Sequence, residues 1–439
     1  MIVNLSLKRL GNSGDVVIQT LDKAKRIAKK VYDLSDVITG IQGGEGYPIS
    51  VGIYFPTPKP MLDAAIKYAE QVRDQNSRLS PPGNYWSPMG RGVETNELKD
   101  LIADKLLKEN QLSVDPENEI MLTAGISTGI TIVPQLLVDP GDEVLVIQPD
   151  YVRLRNPVGW GAKVVPVPLK ERKGVIDETR WYFDPKELES RITEKSKLIM
   201  FCNLNNPTGY VYSKEDLNAM ADLAKKHDLF VFCNECYERF DLRDDFYKTL
   251  VTNSISGVPG MKERTFISQG ITKAYETEGN EHCAWLVGPA EYISVLEWLL
   301  FAFCYRSITA LGGYIGIAAL TSPFREDYIR QQFKIYKQNR DLLWETLNKF
   351  SWIECGKPMG GTFIFPDITK SGMDDQSFGK FLYERGVGPS IGRAWGPKYG
   401  LGHERFAYCS PPEYHQIMCS KLEEALKYYE VVNKDIIIK

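Results

Sequence analysis

The chain has 439 residues but only four histidines, and its eight cysteines are scattered: Cys202, Cys233, Cys236, Cys283, Cys304, Cys355, Cys409 and Cys419. A zinc site of the common kinds needs a second cysteine pair, or histidines, close to the lone C-x-x-C of VFCNECY, and neither is there. Cys233 and Cys236 therefore read as packed thiols at a buried strand end, and no metal is expected. Scattered thiols point to a reducing, cytoplasmic compartment. The formal net charge of −4 leaves no basic field for nucleic acid. No apolar run reaches the ~18 residues that span a bilayer. The greasiest stretch, LEWLLFAFCY, is short and reads as a buried helix. The opening MIVNLSLKRLGNSGD is too polar for a signal peptide.

What remains is an ordinary folded composition, long enough for two domains or one large domain with an appendage, at roughly 100–200 residues per domain. The amphipathic VVIQTLDKAKRIAKKVYDL predicts a helix, and the Gly/Pro-rich GGEGYPISVGIYFPTPKP a loop. PMLDAAIKYAEQVRDQ and ETNELKDLIADKLLKEN predict helices around a second loop, SPPGNYWSPMGRG. The chain then alternates. EIMLTAG, DEVLVIQP, AKVVPVPL, KLIMFCN, LFVFCNE, RTFISQG and CAWLVG read as strands. ISTGITIVPQLL and SKEDLNAMADLAKKHD read as helices, the second capped by Ser213 with Asp216 in its first turn. Such alternation predicts an α/β domain with a mostly parallel sheet, and ligands bind at the carboxyl ends of its strands. Beyond residue 320, one long amphipathic helix, two strands (GGTFIFPDI, RFAYCSPP) and a last helix predict a smaller α+β unit.

Four strand ends carry chemistry-bearing residues. TAGISTG places Gly125, Ile126, Ser127 and Thr128 at a strand-to-helix turn, whose free N–H groups and helix dipole suit a phosphate. NLNNPTG sets Asn206 before a tight turn. NECY ends the next strand with Asn234 and Tyr237, and SQGITK follows with Ser268, Thr272 and Lys273. A lysine among small and polar residues is either a solvated loop lysine or the amine of a Schiff base.

In order and spacing these segments resemble the class I/II aminotransferases, fold-type I enzymes that use pyridoxal 5′-phosphate (PLP), and the resemblance covers nearly the whole chain. NLNNPTG is similar to the family's N-P-x-N-P-T-G, NECY to D-E-x-Y, GITK to S-x-S-K, and Arg405 in HERFAYCS to the late substrate arginine. The resemblance implies a mostly parallel seven-stranded-type sheet with helices on both faces, plus a smaller α+β domain. It divides the chain into an N-terminal segment (1–75), a large PLP-binding domain (76–320) and a small C-terminal domain (321–439). By resemblance, Lys273 would form the Schiff base and later carry the Cα proton. Asn206 and Tyr237 would bond the cofactor's phenolic oxygen, and Tyr151 would stack on its ring. Gly125, Ile126, Ser127 and Ser268 would hold the phosphate. Tyr85, with Trp86 as the register alternative, would reach the phosphate across a homodimer interface. Arg405 would clamp an amino-acid carboxylate. Arg306 lies in the region where some relatives bind a distal carboxylate, and it is equally readable as structural.

Two departures stand out. Asn234 occupies the place of an aspartate that keeps the pyridine nitrogen protonated, and an amide cannot form that ion pair. The neighbouring Glu235 should point to the other face of the strand. His282 occupies the place of an arginine that pairs with the phosphate, and it lacks the bidentate fork. The expected activity is that of an aminotransferase or an aminotransferase-like biosynthetic enzyme. The alternative is a non-transaminating PLP enzyme performing elimination, replacement, cyclisation or oxidation. A PLP-sensing regulator is disfavoured, because the ~40 residues before the first family-like loop are too few for a DNA-binding module at typical domain sizes.

Overall fold

A computed structural model describes residues 47–48, 57–73, 93–275, 282–304, 308–321 and 324–437. The predicted N-terminal helix, most of the Gly/Pro-rich loop, Tyr85, Trp86 and Arg306 lie outside the described residues.

Seven strands form the main sheet: β1 (Ile120–Thr123), β2 (Glu143–Gln148), β3 (Lys163–Pro168), β4 (Ser196–Cys202), β5 (Phe230–Asn234), β6 (Thr265–Gly270) and β7 (Ala284–Val287). Their spatial order is β1-β7-β6-β5-β4-β2-β3. β7 runs antiparallel to both neighbours, and every other pairing is parallel. All seven predicted strands are present, and their near-continuous apolar runs follow from burial on both faces.

Residue parity sorts those faces. Val144, Val146, Leu198, Met200, Phe232 and Phe266 pack on one side with Ile130 and Val133 of helix α1 (Ile126–Leu137). Leu145, Ile147, Ile199, Phe201, Val231 and Ile267 pack on the other. There they meet Met220 of helix α2 (Lys214–Lys226), whose N-terminus is closed by the expected Ser213–Asp216 capping box. Each fully buried side chain of this size contributes roughly 1.5–3 kcal/mol.

The C-terminal part packs around a second core, which also takes in Leu204, Phe240 and Phe246. Helix α3 (Phe324–Asn348) and helix α4 (Pro412–Val432) cover a three-stranded antiparallel sheet, β8 (Phe363–Ile364), β9 (Ser390–Ile391) and β10 (Glu404–Ala407), with β10 in the middle.

One expectation is corrected. The greasy stretch forms a helix, Ala290–Cys304, that is only half buried: Ile293, Leu296 and Leu300 face the core, whereas Trp298 is 57% exposed. Cys233 and Cys236 are both buried free thiols, as expected, in different cores. Cys233 belongs to the core beneath the sheet, and Cys236, beyond the strand end, belongs to the C-terminal core.

Candidate active site

The carboxyl ends of β4, β5 and β6 lie side by side, with Cys202 registered against Asn234 and Asn234 against Ser268. By parity these three side chains share the α1 face. Glu235 turns to the opposite face, where its carboxylate accepts from Ser254 (2.8 Å) and Gln269 (2.8 Å). Burial, reinforced by Glu238, pushes the Glu235 carboxyl up to about 7. The expected split between Asn234 and Glu235 is thus present.

The turn from β1 into α1 is built around Gly125, whose φ of +156° and ψ of 156° form a conformation open essentially to glycine alone. Among the described residues no side chain caps the helix, and no acid stands in its first turn, so its own sequence supplies no anion to the N–H groups there. The cup is closed from both sides. A Cβ on Gly129 would stand 2.3 Å from Ser268 Oγ, so the Ser268 hydroxyl lies directly over the helix. The His282 ring lies 3.6 Å from a Cβ built on Gly125, which puts an imidazole beside the turn, although the residue itself is exposed. Ser127 reaches the Tyr151 phenol, which burial pushes above its ordinary value while Arg153 and Ser127 pull the other way.

The NNPTG turn is rigid. Asn205 Oδ1 accepts from the Thr208 hydroxyl (2.6 Å) and N–H (3.2 Å), while its Nδ2 donates to the Pro149 carbonyl at 3.2 Å. Gly209 has φ +67°, and a Cβ there would meet the Gly360 carbonyl at 2.6 Å. So held, Asn206 offers Oδ1 to Arg405, which donates at 3.0 Å. The Arg405 guanidinium is sandwiched between the Phe363 and Trp395 rings, 3.8 Å from each centroid. Burial pushes Arg405 down to about 10, still cationic at neutral pH. Burial likewise drives the Tyr237 phenol well above its ordinary value, against the pull of Arg405. Lys273 sits half-buried in a one-turn helix, Ile271–Ala274. Burial raises the Cys409 thiol to about 12, against the opposing electrostatic pull of Lys273 and Arg405.

Asn206 and Arg405 are bonded, Tyr237 and Lys273 lie at the neighbouring strand ends, and the Gly125–Ser127 turn, Ser268, His282 and Tyr151 form the adjoining cup. Trp395 and Phe363 escaped the sequence reading. The aromatic flanks of a buried arginine come from separate elements, and no local spacing announces them. Asp150 also escaped it. Its side chain is wholly buried, its oxygens accept no hydrogen bond from another of the described residues, and it pairs with Arg155 Nε at 3.3 Å. Burial pushes its carboxyl up to about 7, against Arg155.

A mostly parallel sheet with an amine, an anion cup and a buried guanidinium at its carboxyl edge defines an enzyme of the fold-type I kind. Residues 83–394 match the family model for aminotransferase class I and II. The chain belongs to that family and is a transferase. It is 31% identical over 418 residues to an aspartate aminotransferase of Pyrococcus abyssi, covering 92% of this chain and 96% of the relative. It is 29% identical over 418 residues to aromatic-amino-acid aminotransferase 2 of Thermococcus litoralis, covering 93% and 95%. The crystal structure of an aromatic aminotransferase from Pyrococcus horikoshii superposes with a TM-score of 0.78 at 26% identity, covering 90% of this chain and 99% of that one. These relatives favour amino-group transfer over the elimination and cyclisation alternative.

Proposed function

We propose that this enzyme transfers the amino group of an α-amino acid to a 2-oxo acid, using PLP attached to Lys273. The carrying observation is the Asn206–Arg405 hydrogen bond at 3.0 Å, which ties the buried guanidinium to the turn after β4, at the strand ends that also carry Lys273. An amine for a carbonyl and a guanidinium for a carboxylate would thereby serve the two ends of an amino acid. The cofactor fits these residues: the cradle between Gly129 and Ser268, where a Cβ would collide with a hydroxyl, adjoins helix N–H groups that can take a phosphate.

Bound there, the cofactor would supply the electron sink for charge developing at Cα. The chain's own groups do the rest. Gly125, Ile126, Ser127, Ser268 and His282 would hold the phosphate, and Tyr151 would cover one ring face. Asn206, its oxygen committed to Arg405, would donate from its amide nitrogen to the phenolic oxygen, with Tyr237 as second donor. Arg405, flattened between Phe363 and Trp395, would take the substrate carboxylate through two parallel N–H donors. Lys273 would move the proton at Cα. Asn234 would face the ring nitrogen.

Aspartate and aromatic amino acids, named for the relatives, are the first substrates to test. We assign residues 76–320 to the cofactor domain and 321–439 to the small domain, with 1–75 contributing to the latter and to an active-site loop. The enzyme would work as a cytoplasmic homodimer, with Tyr85 reaching the neighbouring subunit's phosphate.

Borohydride reduction of the PLP-loaded protein followed by peptide mass spectrometry tests the attachment. A pyridoxyl mass on the Lys273 peptide, absent in Lys273→Ala, supports it. Label spread over surface lysines, or none, refutes it.

A further inference from the structure

Asn234 has a defined orientation. Its Oδ1 accepts the backbone N–H of Cys236 at 3.2 Å, and an N–H can only donate, so the acceptor end of the amide is committed. The other end, Nδ2, is a pure donor. Strand parity keeps it on the α1 face, between Cys202 and Ser268, and the Cys202 thiol already bonds the Asn234 amide. An amide NH2 has two protons, so among the described residues one remains for a ligand.

We propose that Asn234 donates this N–H to the ring nitrogen of the cofactor and holds that nitrogen in its unprotonated, acceptor state. The inference rests on the PLP reading above. A protonated ring nitrogen is itself a donor and would meet a donor head-on. Turning the amide over would give the ring an acceptor, but would face Nδ2 against the Cys236 N–H inside a buried strand end.

The surrounding charges leave this preference standing. Glu235 is spent on the opposite face with Ser254 and Gln269. On the cofactor face the acid is Asp150, which lies near Cys202 and is compensated by Arg155. The Cys202 thiol and the Tyr151 and Tyr237 phenols are kept in their neutral forms by burial, the Cys236 thiol lies beside them, and Arg405 is a cation. No uncompensated anion among the described residues faces the place where a ring proton would sit.

The test is 15N NMR of the whole protein loaded with PLP labelled at the ring nitrogen. Borohydride trapping on Lys273 is run on the same sample, to separate failure of the cofactor reading from failure of this inference. The expected result is a neutral-pyridine shift between pH 6.5 and 8.5, with Asn234→Asp moving the resonance to the pyridinium position. A pyridinium shift in the wild type overturns the proposal. If that shift collapses in Asp150→Asn, the ring's partner is Asp150 instead. No adduct on Lys273 removes the cofactor reading and this inference together.

Discussion

Arg405 Nη1 donates to Oδ1 of Asn206 at 3.0 Å, joining the middle strand of the C-terminal sheet to the turn that follows β4. One bond thus couples the group expected to bind a carboxylate with the amide expected to orient a cofactor. Arg405→Lys keeps the charge but loses the fork and the stack between Phe363 and Trp395. At 1.5–3 kcal/mol for a hydrogen bond to a charged group, KM for the amino acid should rise roughly 10- to 100-fold. Steady-state kinetics, with PLP affinity measured in parallel, checks this: a comparable loss in PLP affinity would place Arg405 elsewhere in the mechanism.

Gly129 has no room for a methyl group, since a Cβ would stand 2.3 Å from Ser268 Oγ. Gly129→Ala should weaken PLP binding at least about tenfold, equal to ~1.4 kcal/mol. In Gly129→Ala/Ser268→Ala the lost hydroxyl vacates the contested space. Thermal stability should then recover while PLP affinity stays low, as a binding titration on the two proteins would read out.

Asp150 gives a pH dependence of defined sign. Its folded carboxyl lies at about 7, above the ordinary 3.8, so the folded state binds the proton more tightly than the unfolded chain. Stability therefore falls as pH rises from about 4 to about 7 and is flat beyond. Asp150→Asn should flatten that decline and be the more stable protein at pH 8, by a few kcal/mol at ~1.4 kcal/mol per pKa unit. Denaturant melts at pH 5 and 8 measure it. Glu235 adds a slope of the same sign.

Lys105 and Arg239 are buried cations of one cluster under the sheet. Lys105 is 1% exposed and bridges Glu238 (2.5 Å), Gln269 (2.9 Å) and Asn110 (3.0 Å). Lys105→Met would leave Glu238 in a cluster short of one positive charge. The expected cost is about 3–5 kcal/mol, read by urea denaturation. Lys105→Met/Glu238→Gln should recover part of it.

Much of the fold was legible because both faces of the sheet are covered, which writes each strand as an apolar run between turns. The site's chain order was legible too, since strand ends carry it in NLNNPTG, NECY and GITK. The helix Ala310–Thr321 escaped, being apolar all round and so without a helical period. Lys105 looked like one more surface lysine in ETNELKDLIADKLLKEN; its burial comes from Gln269 and Glu238, 164 and 133 positions away (269 − 105 and 238 − 105). The orientation of Asn234 could not be read at all, because it depends on a backbone N–H beyond the strand end.

Amino-group transfer is tested most directly with isotope. The purified PLP-loaded enzyme is given an α-15N-labelled aspartate or aromatic amino acid and an unlabelled 2-oxo acid, and products are resolved by mass spectrometry. The account predicts that 15N appears in the new amino acid in step with release of the donor's oxo acid, and that Lys273→Ala abolishes both. Label recovered as free ammonium, with no new amino acid formed, would contradict it.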